Sequence, residues 1–249
     1  VRTTARFKFE EESVPEGYFC FKVGVKGLTG GHSGDDINKK RANANKLLVR
    51  YLMAELEKTD LRLVDIQSGG LHNAIPREGY AVCAVPFTEK EQMRIDLNVL
   101  AAQAAEEYSV TEKEMEFYLE SQPAAAKAID RKTAQAMLLS LQAVHNGVFA
   151  MSQDLDWLVE TSSNLASIHK LDGIVEVTTS QRSSVGSACE YMAEVIRAAF
   201  RLGGAEVETN EGYPGWKMNP NSVIVKIAEE SYKRLFGKEP KILAIHAGL

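Results

Sequence analysis

At 249 residues, with 45% hydrophobic and 25% charged side chains, the sequence has the make-up of a soluble globular protein of one large or two small domains. Its net charge of -5 offers no basic footprint for nucleic acid or for an anionic membrane, and no apolar run approaches the roughly 20 residues of a membrane span. Cys20, Cys83 and Cys189 stand far apart without zinc-knuckle spacing and read as small buried residues of a reducing compartment. The chain opens on Val1-Arg2-Thr3-Thr4 without an initiator methionine or a signal peptide, and stops just after His-Ala-Gly; it is expected to be a piece of a longer protein.

In chain order, residues 5–9 alternate around Phe7 and Phe9 as a short strand, and residues 10–17 read as a turn. Residues 18–26 form a strand with Phe19, Phe21, Val23 and Val25 on one face. A loop with four glycines (27, 30, 31 and 34) follows, and these leave the imidazole of His32 unscreened. Ser33, Asp35 and Asp36 are candidate caps for a helix over 37–58, marked by Ile37, Ala44, Leu47, Leu48, Tyr51, Leu52 and Leu56. Lys39, Lys40, Arg41, Lys46 and Arg50 read as its solvated face. Strands at 61–67 and 79–86, a helix at 89–107 and a strand at 114–120 complete a first unit.

After Pro123 the pattern resumes, with a helix at 131–146, strands at 162–169 and 173–181, a helix at 185–201 stopped by Gly203-Gly204, and a strand at 205–209. Each half reads helix, strand, loop, strand, helix, strand. Asn73 and Asn164, 91 residues apart, set the offset of the repeat. Strand pairs with two covering helices are the two-layer ferredoxin-like plan, so the fold class expected is α+β with an internal duplication. Residues 213–222 are rich in turn formers and read as a hinge, before a helix from Ser222 to Phe236 and a buried strand over 241–245.

Several stretches resemble one family. Gly-Gly-His-Ser-Gly-Asp-Asp-Ile at 30–37, followed by Asn38, Arg41, Ala42, Asn43, Ala44 and Asn45, is similar to the Xaa-His (aminoacyl-histidine) dipeptidases. These belong with the zinc exopeptidases that include carnosinase, aminoacylase and carboxypeptidase G. Ser68-Gly-Gly-Leu-His-Asn-Ala-Ile-Pro76, Ser180-Gln-Arg-Ser-Ser184, Tyr213-Pro-Gly-Trp216 and His246-Ala-Gly-Leu249 match the same family in the same order.

The resemblance implies a cytoplasmic metallo-dipeptidase that hydrolyses Xaa-His dipeptides with metal-activated water. It divides the chain into the outgoing edge of an α/β catalytic domain (1–16), an inserted lid or dimerisation domain (17–212), and a hinge with a truncated helix–strand piece of the catalytic domain (213–249). It implies that His32 is catalytic, donating to the scissile carbonyl oxygen as negative charge develops there. Asn73 and Arg182 would bind the substrate's carboxylate end, where a planar guanidinium fork suits a carboxylate. Asn164 and His246 are further substrate-binding candidates. Arg182 ends a strand after Val175, Val177 and Thr179; the matching strand of the first half ends Ala84-Val85-Pro86, without an arginine.

None of the five histidines has a metal-ligand spacing, so zinc or another divalent metal is expected in the full-length parent and not in this chain, which by itself is expected to be inactive. His72 and His145 read as structural and Trp216 as hinge packing. Beside the dipeptide substrate, the expected partner is a second copy of the chain, with no nucleic acid and no membrane. A non-catalytic dimerisation module is the alternative reading; it gives no reason for His32 and Arg182 to lie near each other.

Overall fold

The computed structural model describes residues 1–215, 219 and 221–247. Trp216, and Gly248 and Leu249 of the terminal motif, lie outside them. The strands are β1 (Arg2–Lys8), β2 (Glu11–Ser13), β3 (Tyr18–Lys26), β4 (Gly31–His32), β5 (Arg62–Gly69), β6 (Ala74–Ile75), β7 (Gly79–Pro86), β8 (Glu116–Ser121), β9 (Lys127–Ile129), β10 (Gly147–Met151), β11 (Val159–Lys170), β12 (Ile174–Ser183) and β13 (Glu206–Thr209). The helices are α1 (Ala44–Lys58), α2 (Lys90–Glu107), α3 (Arg131–Ala143), α4 (Gly186–Leu202) and α5 (Val223–Phe236).

One antiparallel sheet organises the molecule, in the order β13-β1-β12-β11-β5-β7-β3-β8, with β10 also paired to β11. It is two ferredoxin-like units laid edge to edge. The first runs β3-α1-β5-β7-α2-β8. The second runs β1-α3-β11-β12-α4-β13. Each places its strands in the spatial order 4-1-3-2, and their second strands, β5 and β11, pair where they meet, with Ile168 opposite Ser68. The duplication and the α+β class follow the sequence reading.

The second unit takes its first strand from the chain's N-terminus. β1 lies between β12 and β13, with Ala5 opposite Val177 on one side and Val207 on the other. β1 is thus built into this sheet: Thr3, Ala5 and Phe7 face the core and are essentially fully buried. The whole first unit is inserted between β1 and α3. β2, where the chain leaves, and β9, where it returns, pair antiparallel and close the neck of that insertion.

α1–α4 supply buried apolar residues to one core that spans both units, and α1 packs against α3. Phe7 meets Phe200 of α4 edge to face at 6.1 Å, and Phe21, Leu52, Met137 and Leu138 are fully buried in the same core. Each such side chain contributes about 1.5–3 kcal/mol by leaving water.

The helix expected from residue 37 begins only at Ala44. Asn43 is its cap, with Oδ1 accepting the amides of Asn45 and Lys46. Ile37 mimics the helical spacing but is buried against Ile75 and Val159, a tertiary contact. Lys46, expected in solvent, donates from Nζ to the Leu141, Gln142 and Val144 carbonyls and closes the C-terminus of α3. Cys20 and Cys83 are buried, whereas Cys189 is only half-buried at the start of α4. Residues 241–245 form no strand: they have no sheet partner, and Ile242, Leu243 and Ile245 are exposed.

Candidate functional site

The 27–43 loop is shaped by short pairings. β4 pairs with β6, placing His32 opposite Ala74. The Asp36 carboxylate accepts the His32 amide at 2.7 Å, and the Asp36 amide returns a bond to the His32 carbonyl at 3.0 Å. Arg41 sits 3.3 Å from the same carboxylate and also donates to the Gly30 carbonyl. Gly31 has φ 135°, and a side chain there would collide with both Arg41 and Asp36. Burial works against ionisation of Asp36, but Lys39, the His32 amide and Arg41 together hold its carboxyl below the usual range.

The His32 ring is turned back on its own loop. Nδ1 accepts the amides of Gly34 and Asp35 at 3.2 Å each. A ring nitrogen that accepts hydrogen bonds carries no proton, so in the neutral imidazole the proton is on Nε2.

The second unit brings Arg182. β12 carries it at the edge of the site, and β1 pairs along that strand as far as the bonds between Val1 and Gln181. Arg182 Nε donates to Ser33 Oγ at 3.3 Å, next to His32 in the chain. Its terminal nitrogens have no carboxylate partner among the described residues. The structure thus brings His32 and Arg182 together from different units.

His246 also arrives there. Its Nε2 is 2.8 Å from Ser162 Oγ on β11, and its backbone carbonyl lies so close over Gly34 that a β-carbon there would clash. Burial, then the positive Arg182 and the neighbouring His32, push its pKa down to about 4, against the opposing pull of Asp35 and the Val159 carbonyl. It is a neutral ring at pH 7, held by β11.

The two asparagines part company. Asn73 is exposed in the turn before β6 and contributes its backbone carbonyl, which accepts the Ser33 amide at 2.9 Å. Asn164 is fully buried; its Nδ2 donates to the Ala74 carbonyl at 2.8 Å, bracing β6 behind His32. Nor are they counterparts in the repeat. A bulge interrupts both hairpins, between Leu63 and Asp65 and between Leu165 and Ser167. Counting from these bulges, Asn164 corresponds to Arg62, and Arg182 to Pro86. Ser33, Asp36 and Ser162 are the site residues that sequence reasoning did not assign. The first two stand inside the glycine-rich motif, and Ser162 carries no sequence signal. His72 is exposed; His145 packs edge to face on Phe149 at 5.6 Å, a structural contact.

Residues 17–112 match the peptidase dimerisation domain of the M20 peptidases. Over 246 residues the sequence is 37% identical to the cytosol non-specific dipeptidase of Escherichia coli (strain K12), covering 99% of this chain and 51% of that protein. The chain is thus similar to M20 peptidase dimerisation domains over residues 17–112. Its fold superposes on the crystal structure of aminoacylhistidine dipeptidase from Vibrio alginolyticus with a TM-score of 0.93 at 33% identity, covering 100% of this chain and 51% of that one. The chain spans about half the length of the relatives it matches.

Among the described residues no group of three His, Cys, Asp or Glu side chains converges as metal ligands would. The residues present therefore do not fit the zinc or other divalent ion that the family resemblance implies. No helix among them is long and apolar enough to cross a membrane.

Proposed function

We propose that this chain is the substrate-capping lid of a cytoplasmic metallo-dipeptidase that acts on Xaa-His type dipeptides. The observation that carries the reading is the junction of His32 and Arg182 through Ser33. One residue offers a ring N–H and the other a cationic fork, and in a dipeptide the scissile carbonyl and the terminal carboxylate are only a few bonds apart. His32 Nε2–H donates to the carbonyl oxygen as it gains charge, and Arg182 grips the carboxylate. The relatives' names, both dipeptidases, support the same class. Residues 17–212, together with β1, form the lid. The hinge and α5 lead back to a catalytic domain, which would hold the metal with residues outside this chain.

The outer edge strands β8 and β13 leave backbone groups for pairing with a second copy, and the dimerisation-domain match favours a homodimer. The test is to express the parent protein and assay dipeptide hydrolysis. His32→Ala should lower turnover by about 100-fold, as loss of other oxyanion donors does. Unchanged turnover in that variant would remove the role assigned to His32.

A further inference from the structure

We infer that Asp36, together with the Gly34 and Asp35 amides, is a positioning device that presents His32 to its ligand through Nε2–H alone. The identity of the ligand rests on the lid reading above; the presentation of the ring rests on geometry.

Three features of the loop converge on one residue. The Gly34 and Asp35 amides occupy Nδ1, which places the ring proton on the opposite nitrogen. The His32 backbone is clasped on both sides by Asp36: its N–H by the carboxylate and its C=O by the Asp36 amide. The clasp is itself anchored, because Lys39 and Arg41 pair with the carboxylate and Arg41 also ties down the Gly30 carbonyl. Gly31 completes the device, since any side chain there would strike the Asp36–Arg41 pair.

Asp36 is free to do this because it does not cap a helix. Asn43 caps α1 seven residues further on. A histidine whose backbone and Nδ1 are both fixed has one polar atom left, and that atom is a donor. Such a group supplies its hydrogen bond to a developing oxyanion without changing tautomer or reorienting, which is where preorganisation lowers a barrier. Asp36 does not touch the ligand; it acts through His32.

The test is long-range 1H–15N correlation NMR on this chain labelled at histidine nitrogens, in mildly alkaline buffer, with His32 assigned by H32Q. The expected wild-type spectrum has the Nε2–H pattern for His32. An Nδ1–H pattern, or comparable amounts of both forms, overturns the inference without any need for a variant to fold. Asp36→Ala should then mix the two forms, while Asp36→Asn, which keeps an oxygen for the His32 amide, should retain mostly Nε2–H. A D36A spectrum identical to wild type would also overturn it. In the parent enzyme D36A should lower kcat by about tenfold with little change in KM, and D36N should recover most of the loss. If the spectra hold but His32→Ala leaves turnover intact, the lid reading fails while the positioning stands.

Discussion

Arg182 Nε lies 3.3 Å from Ser33 Oγ, and that bond joins the second unit's third strand to the first unit's glycine-rich loop. It spends the one guanidinium nitrogen that points sideways and leaves the paired terminal nitrogens for a planar acceptor. Ser33 is itself buried and held by the Asn73 carbonyl, so the arginine is oriented by a fixed partner.

The first prediction concerns this bond in the parent enzyme. Arg182→Ala should raise KM for free dipeptides by about tenfold to a hundredfold, the scale of a lost charged hydrogen-bonded pair, and should do much less to substrates with a blocked carboxylate. Ser33→Ala should raise KM by only about threefold to tenfold, since it loosens the arginine without removing it. Steady-state kinetics on matched free and blocked dipeptides separates the two. Equal losses on both substrates would assign Arg182 elsewhere.

The second prediction separates the asparagines. Asn164→Ala should destabilise the chain by about 1–3 kcal/mol, because it leaves the half-buried Ala74 carbonyl without this donor and disturbs the neighbouring buried Asn43 amide. Asn73→Ala should change stability by less than about 0.5 kcal/mol, since only its backbone is used here. Urea unfolding of both variants checks this. A mild Asn164→Ala together with a severe Asn73→Ala would reverse the placement.

Much of this was legible in the sequence, and the gaps have physical causes. Alternation and helical spacing marked each main strand and helix of both units, because each has one buried face. The glycine-rich loop pointed to His32, and the family resemblance of Gln-Arg-Ser-Ser to Arg182. The place of β1 was not legible: Phe7 and Phe9 announce a strand, but nothing local says that its neighbours are residues 174–180 and 206–209. Ile37 misled because a tertiary contact happened to fall on the helical period. The 91-residue offset misled because Asn73 lies in a long β5–β7 loop, whereas β11 and β12 are joined by a tight turn. The apolar run at 241–245 has the pattern of a buried strand because sequence shows burial potential, not whether a partner is present.

The third prediction is a pH dependence. An unfolded histidine titrates near 6.5 and His246 in the fold near 4, so between these values the unfolded state binds more protons. The His246 contact is therefore fully present above about pH 6.5 and is lost as pH falls towards 4. Histidine NMR should show its ring still neutral at pH 5.5, and hydrogen exchange around Ser162 should rise below that. Ser162→Ala should move the midpoint of His246. A midpoint near 6.5 in the wild type would mean that the ring is not seated on β11.

The last prediction sets the two ends of the chain against each other. Removing residues 1–16 takes out the central strand of the second unit. Phe7 leaves its contact with Phe200, β13 loses its partner, and β12 gains an unpaired edge. Removing residues 213–249 takes out a helix with no buried residue among those described, with Ile224, Leu235 and Phe236 at least 61% exposed. The two deletions differ in size in the opposite sense to their expected effect. Loss of the shorter N-terminal piece should abolish cooperative unfolding of the second unit, since burying Phe7 alone is worth about 1.5–3 kcal/mol before any ladder bonds are counted. Loss of the longer C-terminal piece should leave the melting temperature within a few degrees and uncover the Ser162 and Gly34 sides of the site, which His246 covers. Circular dichroism melts, with amide spectra to show which unit has lost its fold, decide between them. A stable protein without residues 1–16 would show that β1 is an accessory strand and not the first strand of the second unit.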